Sequence, residues 1–416
     1  MMRLRPGPAG VPLRRGITLA SLLLGACSGA ERPGPVAPPV ARVINLRLES
    51  ARFTQAVQDE AGTVPMISGT AAAINVIVAR SRESVTEVPV VLRLFRGSSV
   101  VFTDTARTGG ILGPLTSATQ TSAQFLIPAS LVAADVSWQV ELDPARTQPD
   151  STHDDNLLPR GTPERVTTVT VPPIRLRLVP VILSRHGGVS GDVAPVNVDQ
   201  YVQLLREIFP LGALSVTVGA AVTSDADFGV RPDTGAGVGF WTVVLRDLDG
   251  ARTEAGAGDE YWYGVVPLVD GYRVLQYGGF GYLPDLPQNT GPFSRSSAGL
   301  GISRTYGANY ARQILAHELG HNFGRRHAPG CGAVAPIDTA YPGLAGTISA
   351  KGNNVWSWAN GLARGAADID RATGDVMSYC TPVWVSPYTY SGVLAWRQAQ
   401  QAAGRISTNR PGIAVP

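Results

Sequence analysis

Lysine is almost absent from this 416-residue chain: Lys351 is the single one, and arginine supplies the rest of the 35 basic residues. The arginines are scattered singly or in pairs. No basic stripe interleaved with aromatics exists of the kind a nucleic-acid surface needs, and the net charge of only +3 agrees, so nucleic acid is excluded as a partner. Long apolar runs are also lacking. The longest lies near the N-terminus, Ile17 to Ala26 behind Arg3, Arg5, Arg14 and Arg15, and is too short to span a bilayer permanently. It has the build of an export signal, with Arg14-Arg15 leaving a twin-arginine route open. Histidine and cysteine are scarce, at five and three residues. Each therefore has to be accounted for. Internal repeats are missing, while a 44% hydrophobic content leaves material for more than one core.

Residues 1–26 are thus expected to be a signal peptide. Its end, Leu24-Gly25-Ala26-Cys27, resembles the bacterial lipobox, which implies a diacylglycerol on Cys27; an ordinary signal peptide with an incidental cysteine is the alternative. The Pro-rich stretch that follows, within 27–42, suits a semi-rigid tether from a membrane surface. If lipid consumes Cys27, Cys331 and Cys380 remain as an even pair in an oxidising setting. A bridge between them is expected, with two free buried thiols as the alternative.

From 43 to 173 the pattern is short β-type runs broken by turn residues: Val43–Leu48, Ala73–Ala79, Val88–Phe95, Gln124–Ile127, Val136–Leu142 and Val166–Val171. That spacing predicts an antiparallel, immunoglobulin-like sandwich. His153 sits in the polar loop Asp150–Asn156, expected to be a solvated turn, with cation binding as the other reading. From 174 to 416 an α+β domain is expected. Its predicted elements are a strand at Ile174–Leu183, an amphipathic helix at Asn197–Phe209, strands at Leu214–Val222, Phe240–Arg246, Tyr261–Pro267 and Val274–Tyr282, and helices at Gly307–Phe323 and Tyr390–Ala403. Val274–Tyr282 has the glycines of an edge strand closely approached by other backbone. His186 is expected in a loop.

The strongest signal is His317-Glu318-Leu-Gly-His321-Asn-Phe-Gly324-Arg-Arg-His327, which holds three of the five histidines. On a helix, His317 and His321 project from one face, their backbones about 6 Å apart along the axis. Gly324 can take a left-handed conformation, end the helix and swing His327 toward the same point. Three imidazoles and one open position make a catalytic zinc site. Glu318 is rotated about 100° from His317, where it can reach a water but not the metal, the position of a general base.

The long motif, together with Met377 in Asp375-Val-Met-Ser-Tyr-Cys380, resembles the metzincin clan of zinc peptidases over roughly Ile174 to the C-terminus. The resemblance implies a mixed twisted sheet with an active-site helix, His317, His321 and His327 as zinc ligands, and Glu318 as base. It further implies Met377 as an apolar floor, and Tyr379 as a zinc ligand or oxyanion stabiliser, a packed aromatic being the other reading of Tyr379. His317–Gly324 and Trp384–Tyr390 are most similar to bacterial secreted metzincins such as the mucin-cleaving StcE-like group. In that fold a Cys331–Cys380 bridge would brace the floor of the site. Without a cysteine between Cys27 and Cys331, a cysteine-switch latency is excluded, and no acidic cluster stands out as a structural calcium site. The function implied is a monomeric, exported endopeptidase, lipid-anchored to the cell envelope or secreted, acting on extracellular proteins or glycoproteins. Its rivals are a surface lipoprotein that binds glycan or protein around a non-catalytic zinc, and a zinc hydrolase of non-peptide amides. The intact Glu318 speaks against the first rival.

Overall fold

A computed structural model of the chain describes residues 45–80, 87–108, 123–227, 238–269, 278–287, 294–305 and 307–404. The expected signal peptide, Cys27 and the tether lie outside these residues, as do Val43 and the stretch 274–277 of the expected edge strand. The described residues belong to one compact unit.

Its first half is a two-sheet sandwich. One sheet has the order β1 (Leu46–Thr54), β3 (Ala72–Arg80), β6 (Ala123–Ile127); the other has β7 (Val136–Leu142), β4 (Pro89–Arg96), β5 (Ser99–Arg107), with β2 (Val57–Gln58) outside both. Every described pairing among the main strands of both sheets is antiparallel. Alternation explains the sandwich: Val136, Trp138, Val140 and Leu142 point inward, their neighbours are only part-buried, and the inward set meets Ile74, Val76, Phe125, Leu92 and Leu94 in one core. Strand β5 alternates exposed and half-buried residues and makes little core, which is why its sequence carries no strong strand signal.

The sheet β1-β3-β6 is partly covered on its other side by the second half. There Asn75 donates to Asn353, Gln124 to Asp368 and Asn75, and Asn353 to Asp368, a closed amide-carboxylate network at 2.7–3.0 Å. Strand β2 meanwhile pairs with β14 (Lys351–Asn353) of the second half. Ala56, Val57 and Val64 join the core of that half, and the Trp384 indole donates to the Ala56 carbonyl. The two halves are thus joined by strand pairing, a polar network and shared apolar burial.

The second half is α+β. Strand β8 (Ile174–Leu183) is the hub: β9 (Leu214–Val218) and β10 (Val222–Ser224) pair with it in parallel on one side, and β11 (Tyr261–Val266) does so on the other. Next come β13 (Ser296–Leu300), parallel to β11, and finally the antiparallel edge strand β12 (Gly279–Gly281). All six residues of β11 are buried, as expected of a parallel strand covered on both faces. Helices α1 (Val198–Ile208) and α3 (Ala308–Asn322) contribute to one core and α2 (Val238–Glu254) to another.

The expected strand at Phe240–Arg246 is instead part of helix α2. The β-branched and aromatic run Phe-Trp-Thr-Val-Val-Leu looks strand-like over six residues. Burial of Phe240, Trp241, Val244, Leu245 and Leu248 shows the 3.6-residue stripe that decides. Strand β13, Ser-Ser-Ala-Gly-Leu, was not anticipated, because its small residues answer to close packing: a Cβ at Gly299 would run into the Tyr263 hydroxyl and Ile314 Cγ2 of α3. The C-terminal helix, α4 (Pro387–Ala402), begins three residues before the expected start, where the Ser386 hydroxyl caps it by accepting from Thr389 N.

Candidate metal centre

Helix α3 carries His317, Glu318 and His321 and ends as the glycine predicts. Gly324 has φ +73°, its N–H reaches the His321 carbonyl at 2.8 Å, and Arg325 N–H reaches the Gly320 carbonyl at 3.0 Å. This pair of bonds is a Schellman closure. The chain then turns back. His327 arrives with its N–H on the Pro336 carbonyl, and Ala328 N–H is bonded to the Met377 carbonyl.

Each of the three imidazoles has its Nδ1 2.7 Å from a backbone carbonyl oxygen: His317 to Val376, His321 to Arg325, His327 to Val334. A carbonyl only accepts, so every Nδ1 carries the proton and every Nε2 presents a lone pair in the neutral ring. The donor atoms of the three lie within 4.8 Å of one another. Nε2 of His321 and Nε2 of His327 are only 3.1 Å apart, two acceptors face to face. Such a contact is unfavourable unless a cation lies between them. Metal–nitrogen bonds of 2.0–2.1 Å at tetrahedral angles would place two nitrogens about 3.3 Å apart, close to the spacing seen. The residues present therefore fit one metal ion. Burial lowers all three histidine pKa values, His317 to about 4 with help from His327, so the rings stay neutral and ready to ligate.

Glu318 is buried beside them. Burial pushes its carboxyl well above the usual carboxylate range, against the opposing effect of a hydrogen bond from the Gly281 amide. That bond exists because β12 runs directly along α3: a Cβ at Gly281 would strike the Glu318 backbone, and one at Gly279 would lie 2.9 Å from Glu318 Cγ. Asn322 holds the same strand, its amide donating to the Tyr282 and Ser296 carbonyls. The glycines expected at an edge strand are there for this approach.

Met377 lies 1% exposed below α3, where a Cβ on Gly320 would collide with its sulfur. Tyr379 stands at the mouth, 36% exposed, its ring 5.1 Å from His327 and 5.9 Å from His317. Cys331 and Cys380 form a disulfide with Cα atoms 5.2 Å apart, tying the segment after His327 to the segment after Met377. One residue of this turn was not singled out from sequence. Asp375, wholly buried, accepts from Met377 N–H at 2.7 Å and Ser386 N–H at 2.9 Å, so one carboxylate fixes both the turn and the entry to α4. Its signal was a carboxylate two residues before the methionine, followed by the capping serine.

The site opens into a cleft of about 670 Å³ between Gly278–Leu283, Val334–Pro336 and the stretch from Val376 to Val383. Among the described residues, Glu318 is the only acidic or basic lining side chain apart from the three histidines. Helix α4 does not line it; Trp396 packs behind Gly324 instead. The other two histidines stand apart from the centre: His153 is 3.8 Å from Asp150, and His186, in a short 3-10 turn, is 3.5 Å from Asp227. Among the described residues the three histidines are the one group of three His, Cys, Asp or Glu side chains whose ligand atoms come together, and no helix is long and apolar enough to cross a membrane.

No family model matches the chain, and no curated protein matches it. Among solved structures, a domain of a putative cell surface protein from Methanosarcina acetivorans is similar at 14% identity, with 31% of this chain and 94% of that chain covered and a TM-score of 0.18. A cycloisomaltooligosaccharide glucanotransferase from Paenibacillus sp. is similar at 13% identity, over 52% of this chain and 28% of that one, TM-score 0.17. A β-glucuronidase from Parabacteroides merdae reaches 11% identity, 54% and 29% coverage, and a TM-score of 0.19. Likenesses at these scores carry no argument about this chain.

Proposed function

We propose that this chain is a zinc-dependent endopeptidase of metzincin type, preceded by an immunoglobulin-like sandwich and exported as a lipoprotein anchored through Cys27. The observation that carries the reading is the set of three imidazoles, each fixed by a carbonyl at Nδ1 and converging through Nε2, with a buried carboxyl one residue after the first. Three nitrogen ligands with one position open suit zinc in a catalytic role. When bound, zinc would supply Lewis acidity toward a carbonyl and lower the pKa of water at the site.

The chain's own residues supply the rest. Glu318, held by the Gly281 amide in a dry setting with a raised pKa, takes a proton from the attacking water and returns it to the leaving amine. The Tyr379 phenol, beside His327 at the cleft mouth, donates to the developing oxyanion. Strand β12 is the last of its sheet, so an extended substrate segment can pair along it and bring its carbonyl over the histidines.

The test is cleavage of casein, a mucin glycoprotein and a random peptide library by the full chain and by Glu318→Ala, with zinc assayed on both. Cleavage lost while zinc is retained supports the peptidase. Equal behaviour of the two proteins would replace it with a binding lipoprotein.

A further inference from the structure

The loop after β7 runs from Asp143 to Asn156 and is less solvated than its composition implies. The Asp150 side chain is 0% exposed; it accepts from the Leu46 amide at 3.1 Å and from Asn156 Nδ2 at 2.7 Å. Asn156 is itself 4% exposed. The bond to Asp150 sets its carboxamide, because the flipped amide would turn oxygen against carboxylate. In that setting Asn156 Oδ1 is buried and meets no donor. The neighbouring Asp155 repeats the pattern: Oδ2 accepts from Asn45 Nδ2 at 3.2 Å, while Oδ1 is buried with no donor.

Two adjacent residues thus bury acceptor oxygens that nothing satisfies, next to a buried carboxylate. Among the described residues no arginine or lysine ion pair involves Asp150 or Asp155, and His153 stands 3.8 Å from Asp150. Asp150 also accepts from the Thr152 amide at 3.4 Å, so the unmet demand is that of the Asp155 and Asn156 oxygens; buried acceptors without donors are unfavourable, and a hard cation relieves them. We infer that Asp150, Asp155 and Asn156 form a calcium site in the sandwich. Oxygen-only donors select calcium or magnesium over transition metals, and an irregular loop that supplies part of a six-to-eight oxygen shell suits calcium. The Leu46 amide on Asp150 and the Leu48 amide on the Asp155 carbonyl attach this loop to the start of β1, so the ion would secure the first strand of the sandwich.

The experiment uses the zinc-loaded full chain in calcium-free buffer, titrated with CaCl2 and, separately, MgCl2. Melting temperature and binding heat are recorded, and zinc content is checked throughout. Calcium should raise the melting temperature by about 3 °C at a hundredfold excess over a Kd on the order of 10⁻⁴–10⁻³ M, with magnesium well behind. Asp155→Asn, which keeps an acceptor for Asn45, should weaken calcium at least tenfold. Asn156→Asp should melt lower than wild type without calcium, by repulsion from Asp150, and recover with it. Absence of calcium heat in the wild type, an unchanged calcium response in Asp155→Asn, or an Asn156→Asp defect that calcium does not repair would each overturn the site.

Discussion

Replacing both Cys331 and Cys380 by serine tests whether the floor of the metal centre depends on the covalent tie. The two residues are 49 apart in sequence, so their bond closes a loop of about 50 residues. In the chain-entropy account such a loop removes about 14 cal/mol/K from the unfolded ensemble, which is about 4 kcal/mol at 25 °C. The double variant should therefore unfold at lower urea, a loss of stability approaching that value, with a somewhat steeper slope against denaturant because the unfolded chain is no longer cross-linked. Metal affinity should change much less. The turn that presents the Val376 carbonyl to His317 is held separately, by Asp375 on the Met377 and Ser386 amides and by Ala328 N–H on the Met377 carbonyl. Paired urea titrations of oxidised wild type and double variant, zinc-loaded and zinc-free, with competitive zinc titrations, check both parts. A destabilisation below about 1 kcal/mol would refute the loop-entropy argument. A hundredfold loss of zinc affinity would show that the carboxylate network does not hold the turn by itself.

Gly324→Ala should destabilise by more than about 1 kcal/mol and lower zinc occupancy, since φ is +73° and the new methyl meets the Trp396 ring; melts and metal analysis decide it. Tyr379→Phe should lower kcat on the order of a hundredfold with zinc content and KM little changed, and an unaltered kcat would remove its oxyanion role. In the zinc-free protein the His317 pKa of about 4 lies below its unfolded value, so its contribution to folded stability is level above about pH 6.5. It then declines as pH falls toward 4, where the unfolded chain takes up a proton that the folded ring refuses. Glu318 acts with the opposite sign, its raised pKa costing stability as pH rises above its unfolded value. Urea titrations on zinc-free Glu318→Gln from pH 7.5 to 4.5 isolate the histidines, and a flat profile would contradict their burial as neutral rings.

The ligand set was legible in the sequence because its geometry is local. An i, i+4 pair of histidines, a glycine three residues on and a third histidine specify a helix, its left-handed end and a returning chain without any tertiary knowledge, and α3 closes at Gly324 in that way. What fixes those histidines was not legible. Their partners are the Val376, Arg325 and Val334 carbonyls, and a backbone oxygen has no side-chain identity to read. Strands followed the same division. β7 and β8 were found to the residue because alternation and a long apolar run mark them, whereas β13 is a strand on account of what lies above it: Gly299 is required by Ile314 and Tyr263. Helix α2 reads as a strand for a related reason, since the short run Phe240–Leu245 fits either period until the facing core shows which of its residues are buried. Asp375 joins both kinds. Its residue type was visible, but its work, gripping two amides nine residues apart, exists only once the turn has brought Ser386 back to it. A site of this kind advertises the atoms that touch the ion and conceals the backbone that aims them, so substitutions around Asp375 and Gly324 probe the aiming where substitutions of the histidines can only remove it.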